Sequence, residues 1–209
     1  MGVSERRQRE KENLRRRILD AAREIVVAEG MEALTIRRVA DAVEYAPGTL
    51  YLYFENRDAI ARDLCLEVFQ AMHDAIAPVA KIKDPQKRFR LFLCRYADFA
   101  ASDPGMYRLA LMSNKKFSDA LLREGSIEGE DGAGRRLFAL LVKTIAEIRQ
   151  RDAGAFVLAE MAWVAVHGLV SMKIACQAYP VTPVNTLADK LAKTLLSGIM
   201  SKNNKADCA

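Results

Sequence analysis

The sequence predicts an all-α protein of about nine helices. Three observations support this fold class. Apolar residues recur at the three- and four-residue spacing of a helix along most of the chain, Asp84 and Asp103 stand as capping residues before helix-starting prolines, and no segment shows a convincing strand pattern. The chain has 209 residues, 51% hydrophobic and 28% charged, which is typical of a soluble globular protein with a substantial core.

Residues 35–57, TIRRVADAVEYAPGTLYLYFENR, predict two short helices joined by a tight turn. The first helix has one apolar stripe, made of Ile36, Val39, Ala40 and Val43. Thr35 precedes it as an N-cap. The second helix begins near Pro47, which is tolerated in a first turn because no N–H partner is lost there. This is the arrangement of a helix-turn-helix.

The second short helix, expected over residues 46–54, has two unlike faces. The face towards the core is expected to hold Ala46, Leu50 and Phe54. The opposite face and its flanks are small, hydroxylated and aromatic: Gly48, Thr49, Tyr51, Leu52 and Tyr53. No acidic residue lies between 46 and 54, so this surface can approach a polyanion, with hydroxyls for phosphates and apolar contacts for thymine methyls.

Several positions between 18 and 64 follow one family motif. They are Ala22 and Gly30, then Leu34-Thr35-Ile36, Val39-Ala40, Gly48-Thr49-Leu50-Tyr51, Tyr53-Phe54, and Asn56-Arg57 before a long helix. This stretch closely resembles the DNA-binding domain of the TetR family of bacterial transcriptional repressors. Two positions depart from the motif. Glu44 stands where the family usually has Gly at the turn, and Tyr45 stands where a small β-branched residue is common.

The resemblance implies a set of DNA contacts. Phosphate contacts are expected from Thr35, Thr49, Tyr51, Tyr53 and Arg57. Base contacts are expected from Arg37 and from the face of Pro47, Gly48 and Leu52. Two alternatives stay open. Arg37 either bonds a guanine edge or contacts phosphate only, and the rings of Tyr51 and Tyr53 either pack the small domain or bring their hydroxyls to DNA.

Positive charge is concentrated at the N-terminus. The net charge is +5, and residues 1–17 hold seven Lys or Arg against three Glu, which gives +4 of the +5. Such an excess favours an anionic partner. Two interpretations of residues 1–13 are equally supported: a frayed, solvated tail, or an arm that lies along phosphates or enters the minor groove.

We divide the chain into four parts: a basic arm (1–13), a helix-turn-helix DNA-binding domain (14–57), a helical ligand-binding and dimerisation domain (58–201) and a mobile tail (202–209). A first helix is expected over 11–29, a short helix over 117–123 and a loop over 125–134. Helix 8 (152–178) and helix 9 (186–200) carry broad apolar faces, which predict a homodimer built from these two helices. The family resemblance implies the same arrangement.

The segment WVAVHG, residues 163–168, resembles the W-x-x-x-H-G motif of one group of TetR-family C-terminal domains. Candidates to line a cavity for a small, partly apolar effector are Tyr96, Phe99, Tyr107, Phe138, Met161, Trp163 and His167. Trp163 and His167 share a helix face. The alternative is a packed core in which His167 is hydrogen-bonded and Gly168 permits close helix contact.

Other classes of protein have little support. The sequence has two histidines and no metalloprotease, Walker, Rossmann or nucleophile-elbow signature, so we expect no enzyme activity and no cofactor. Four cysteines, Cys65, Cys94, Cys176 and Cys208, lack the spacing of a zinc site. The apolar stretch 155–172 contains Glu160 and His167, which favours a buried helix over a membrane span. No signal peptide is visible, so the cytoplasm is the expected compartment.

Together these patterns predict a dimeric, sequence-specific DNA-binding transcriptional regulator. The favoured form is a repressor that binds a palindromic operator in double-stranded DNA and is released by a small ligand. An activator, or a regulator controlled by a protein partner, is the alternative. A small-molecule-processing enzyme is a remote one.

Overall fold

The computed structural model describes residues 3–113, 132–176 and 178–200, and these ranges contain helices and turns but no strand. The α-helices are α1 (Val3–Glu29), α2 (Ile36–Val43), α3 (Pro47–Leu50), α4 (Arg57–Ile76), α5 (Pro85–Ser102), α6 (Pro104–Arg108), α7 (Ala133–Arg149), α8 (Ala155–Ala175) and α9 (Val184–Met200). Short 3-10 turns cover Met31–Ala33 and Ala77–Lys81, and a π-helical turn covers Leu109–Ser113. The predicted all-α fold is confirmed.

The described residues form two compact units. The first contains residues 3–68 and 105–113, and the second contains residues 69–104, 132–176 and 178–200. The first unit therefore includes α1, α2, α3 and α6, and the second includes α5, α7, α8 and α9. The functional division at residue 57 remains a prediction.

The core of the first unit is formed by one face of α1 against the two short helices. Its buried side chains include Leu14, Ile18, Ala22, Val26, Val39, Ala40, Val43, Leu50 and Phe54. Three capping positions behave as the sequence predicts. Thr35 Oγ1 accepts a hydrogen bond from Arg38 N at 3.2 Å, and Asn56 Oδ1 accepts one from Ala59 N at 2.9 Å. In the second unit, Asp84 caps α5 by accepting from the backbone N–H groups of Gln86 and Lys87.

Arg38 occupies the position where a capping box would have Glu or Gln. Its guanidinium instead donates to both carboxylate oxygens of Glu29, with Nη1 2.8 Å from Oε2. This bidentate pair ties α2 to the end of α1 and lowers the pKa of Glu29, mainly through the hydrogen bond from Arg38. The pair is exposed, so it orients α2 more than it stabilises it.

Several helix boundaries differ from the predicted ones. Helix α1 begins at Val3 instead of near residue 11, because pairs four residues apart, such as Arg6 with Glu10 and Gln8 with Glu12, stabilise an additional charged stretch. Helix α8 is shorter than the predicted 152–178, since Gly154 precedes it in a left-handed conformation. The expected helix at 117–123, most of the expected loop at 125–134 and the tail lie outside the described residues.

The second short helix ends earlier than predicted. Helix α3 has four residues, and the chain continues from Tyr51 as turns in which Tyr53 N donates to Leu50 O at 2.9 Å. Leu50 and Phe54 are buried as expected, but the prediction that Ala46 faces the core is wrong. Ala46 is exposed because it is the N-cap of α3, in extended backbone, where a helical projection does not apply.

Glu44, which departs from the family motif, ends α2 in a left-handed conformation with φ 62° and ψ 41°. A left-handed backbone costs an L-residue about 1–2 kcal/mol, whereas Gly adopts it freely. We expect Glu44→Gly to raise the free energy of unfolding by about 0.5–1 kcal/mol, because the greater freedom of Gly in the unfolded chain offsets part of the gain. Urea denaturation measures this change.

The matched control is Glu24→Gly, the same substitution at an exposed position inside α1. There Gly is expected to lower stability by about 0.8–1 kcal/mol, because the backbone is already helical. Equal losses at both positions would contradict the assigned strain at Glu44.

The second unit is organised around α5, which packs against α7, α8 and α9. Phe89, Phe92, Leu93 and Tyr96 are its large buried side chains. Arg88 is buried as well, and its charge is met by Glu147 of α7, with Nη1 2.7 Å from Oε2, and by the carbonyl of Ile82, 3.0 Å from Nε. This pair fixes the start of α5 against the end of α7.

Candidate nucleic-acid interface and effector site

The candidate DNA-contacting residues all belong to the first unit, and most lie at helix starts. Thr35 caps α2, Arg37 is in its first turn, Pro47 to Thr49 begin α3, and Arg57 begins α4. The first turn of a helix presents backbone N–H groups and the positive end of the helix dipole, both of which favour an anion. Grouping at helix starts is therefore compatible with a phosphate-binding surface.

Residues 46–54, named here the reading segment, present one side to solvent and bury the other. Leu52 is 76% exposed and Tyr51 is 58% exposed, while Leu50 is fully buried. Pro47 and Gly48 are exposed, and Thr49 and Tyr53 are half-buried. An exposed Leu and Tyr on a well-packed segment indicate a surface held ready for a partner.

The two candidate arginines differ in their surroundings. Arg37 is exposed and makes no hydrogen bond or ion pair with any residue that the structure describes. Arg57 is paired with the neighbouring Asp58, with Nε 3.6 Å from Oδ1. Arg37 is thus able to reach a nucleic acid without breaking an existing contact.

An aromatic cluster lies between α5, α7 and α8, with Trp163 at its centre. The ring centroid of Trp163 is 5.2 Å from that of Tyr96, 6.1 Å from Phe138 and 6.3 Å from Phe92. Phe156 extends the cluster, 5.3 Å from Phe138. The contacts to Tyr96 and Phe138 and the Phe138–Phe156 contact are edge-to-face, which is a favourable geometry for ring pairs.

His167 carries the polar contacts beside this cluster. Its Nδ1 is 3.5 Å from the Tyr96 hydroxyl and its Nε2 is 3.2 Å from Ser171 Oγ. Burial lowers the pKa of His167 below its ordinary value. The group is therefore a neutral imidazole near pH 7, able to exchange a hydrogen bond with a neutral polar ligand.

The structure brings together four of the seven candidate effector residues: Tyr96, Phe138, Trp163 and His167. Phe99 is half-buried without a ring contact to any described residue, Tyr107 is buried in the first unit, and Met161 is 55% exposed. Sequence reasoning did not propose Phe92 or Phe156 for this site. Spacing could have found them, since Phe92 precedes Tyr96 by four residues and Phe156 precedes Trp163 by seven.

Other kinds of site have weak support. Within residues 3–113, 132–176 and 178–200, no group of three or more His, Cys, Asp or Glu could hold a metal ion. Burial raises the pKa of the Cys65 thiol to about 12, and Cys208 lies outside the described residues. Across the same part of the chain, only α8 is long and apolar enough to cross a membrane, a test that core helices of soluble proteins also pass.

A helix-turn-helix unit with an exposed reading segment, joined to a second all-helical unit, defines the class of helix-turn-helix regulatory proteins. Residues 18–64 match the family described as "Bacterial regulatory proteins, tetR family", and residues 89–195 match "Tetracyclin repressor-like, C-terminal domain". The chain belongs to the TetR family. These matches do not test the W-x-x-x-H-G resemblance, which stays a prediction.

Individual relatives are distant. The tetracycline repressor protein class D of Escherichia coli is 30% identical over 92 residues, which cover 41% of this chain and 42% of that protein. The regulator YobS of Bacillus subtilis, itself uncharacterised, is 26% identical over 95 residues, covering 46% of this chain and 50% of YobS. The chain thus aligns with half or less of the length of these relatives.

Solved structures share the fold over nearly the whole chain. A protein of unknown function from Rhodococcus sp. RHA1 has a TM-score of 0.72 at 20% identity and covers 90% of this chain and 96% of its own. The regulator FadR of Bacillus subtilis, solved in complex with stearoyl-CoA, has a TM-score of 0.66 at 18% identity and covers 87% and 97%. At such identities the likeness concerns the fold.

Proposed function

We propose that this protein is a sequence-specific DNA-binding transcriptional regulator. In this proposal it is a repressor that binds a palindromic operator as a homodimer and leaves it when a small, partly apolar ligand binds. The observation that carries the proposal is the reading segment. Its buried side is anchored by Leu50 and Phe54, and its exposed side offers hydroxyls and Leu52 without an acidic residue.

The reading segment would lie in the major groove. The contacts proposed for phosphates are Thr35, Thr49, Tyr51, Tyr53 and Arg57, and those proposed for bases are Arg37, Pro47, Gly48 and Leu52. The first group positions the protein, and the second supplies sequence preference. The exposed basic residues at the start of α1 would add attraction to the backbone that depends on salt.

The proposed dimer rests on one side of α8. Val157, Met161, Val164, Gly168 and Met172, named here the α8 stripe, are exposed. Ala155, Ala159, Ala162, Val166 and Val170 on the opposite side are buried. An uncharged stripe on a helix is suited to a second copy of itself across a two-fold axis, where Gly168 permits close approach. Helix α9 exposes Lys190, Lys193 and Thr194, so it would supply a polar rim.

The proposed effector site is the aromatic cluster around Trp163 with the polar groups of Tyr96, His167 and Ser171. Such a site suits a ligand with an apolar body and one neutral polar group. The relative solved with stearoyl-CoA shows that a protein of this fold binds a ligand with a long apolar part. A ligand that prefers a state with wrongly spaced reading segments weakens DNA binding by that preference, since DNA needs them about 34–36 Å apart.

Selection of bound sequences from a random pool of double-stranded DNA, at two salt concentrations, tests this function. A palindromic site with steep salt dependence is expected for a dimer that neutralises several phosphates. Absence of any enriched sequence, with and without cell extract as a source of ligand, would contradict the proposal.

Arg37→Ala and Tyr51→Phe are expected to weaken binding to the selected site in different ways. If Arg37 reads a base, its loss relaxes preference at one position per half-site and costs about 1–3 kcal/mol. If Tyr51 contacts phosphate through its hydroxyl, Tyr51→Phe weakens all sequences by a similar factor. Binding to a library of single-base operator variants separates these outcomes. Unchanged preference with Arg37→Ala would reassign Arg37 to positioning.

A further inference from the structure

The reading segment has little stability of its own. Helix α3 has four residues, and its N-cap Ala46 offers no side chain to bond the free backbone N–H groups. A helix of this length does not persist alone in water. Its position must therefore be set by contacts from outside the segment.

Arg17 of α1 contacts the chain just before the reading segment. Its Nη2 donates to the backbone carbonyl of Val43 at 3.1 Å, and its guanidinium carbon lies 5.7 Å from the ring centroid of Tyr45. Val43 is the last residue of α2, so the cation meets an otherwise open carbonyl at the negative end of that helix. The Tyr45 ring, where a small residue is usual, supplies the face on which the guanidinium stacks.

Arg15 of α1 makes a similar contact at the other end. Its guanidinium carbon lies 5.0 Å from the ring centroid of Phe54, the last residue of the reading segment. The same guanidinium forms an ion pair with Asp63 of α4. Two arginines one residue apart thus hold an aromatic ring at each end of a segment that has no cap of its own.

We propose that Arg15 and Arg17 form an arginine clamp that sets the position of α3 for DNA recognition. This inference rests on the proposed function. Both residues are positioning residues: Asp63 neutralises the charge of Arg15, and Arg17 is occupied by Val43 and Tyr45. Part of the basic excess of the N-terminus therefore holds the reading segment and does not bind phosphate.

The competing role is a direct phosphate contact from Arg17, and salt dependence distinguishes the two. Each phosphate contact contributes about 0.9 to the slope of log affinity against log salt concentration. A positioning residue changes affinity and leaves this slope intact. Arg16 is the matched control, because it lies between the two arginines, is exposed and makes no hydrogen bond or ion pair with any described residue.

The experiment measures affinity of the full chain for the selected DNA site over a range of salt concentrations. We expect Arg17→Gln to weaken binding by about tenfold or more, since a charge-assisted hydrogen bond and a cation–π contact are lost in each subunit. The salt slope should match that of Arg16→Gln, which removes the same charge. Tyr45→Phe should bind like the wild type, because the ring remains.

A double-mutant cycle adds a readout that a merely structural role would not move. Tyr45→Val should weaken DNA binding in the wild type and have a smaller effect in Arg17→Gln, because the partner is already gone. Arg17→Lys, which keeps the charge and a donor for the Val43 carbonyl, should recover part of the affinity. It also serves as the test if Arg17→Gln fails to fold.

Two outcomes would overturn the clamp. One is a salt slope for Arg17→Gln lower by about one per contact than that of Arg16→Gln. The other is unchanged affinity in Arg17→Gln while the wild type selects a site. If the wild type selects no DNA sequence, the proposed function fails and the clamp's role in recognition fails with it.

Discussion

Val164→Glu is expected to convert the dimer into a monomer and to abolish operator binding. Val164 is 68% exposed in one chain and lies in the middle of the α8 stripe. Across a two-fold axis the substitution would bury two carboxylates close together without a counter-ion. An uncompensated buried charge costs about 3–5 kcal/mol, which weakens dimerisation by about 10²–10³-fold.

Sedimentation velocity at micromolar concentration measures the change in assembly, and affinity for the selected site measures its effect on recognition. Val181→Glu is the matched control, because it makes the same substitution at a residue that is 89% exposed in the turn after α8. It should remain dimeric. A dimeric Val164→Glu protein would place the partner surface elsewhere.

Leu50→Ala is expected to unfold the N-terminal unit or leave it marginally stable. Leu50 is fully buried and lies between α3 and the other short helix of a small core. Large-to-small substitutions of buried leucine cost about 2–5 kcal/mol, which is a large share of the 5–15 kcal/mol typical of a whole domain. DNA binding should be lost together with hydrogen-exchange protection in α1 and α2.

Leu52→Ala makes the same substitution two residues later, on the exposed side of the reading segment. Surface changes of this kind usually stay within about 0.5 kcal/mol of the wild-type stability. Protection in α1 and α2 should therefore persist while affinity for the operator falls. Equal loss of stability in the two variants would show that Leu52 packs in the domain and does not face DNA.

Local signals in the sequence predicted the helices and caps because their chemistry is complete within one turn. Thr35, Asn56 and Asp84 each bond backbone N–H groups two or three residues ahead, as expected of capping residues. Ala46 shows the limit of this reasoning. A helical projection requires the helix to continue, and the turns after Leu50 depend on how the chain enters α4.

Contacts distant in sequence were harder to predict. Periodicity placed Trp163 and His167 on one face of α8, but it did not show that Phe156 joins the same rings while Met161 points to solvent. The arginine clamp was missed because a run of basic residues before a DNA-binding unit suggests DNA contacts. Only the folded chain places Arg15 beside Phe54 and Arg17 beside Val43 and Tyr45.

The location of the α8 stripe has a genetic consequence. The reading segment and the proposed dimer surface lie about a hundred residues apart in the chain, so a substitution can disable one and spare the other. A protein with a damaged reading segment and an intact stripe would pair with normal subunits and leave each mixed dimer with one functional half. Such an allele would behave as dominant over the wild type, whereas Val164→Glu would behave as recessive.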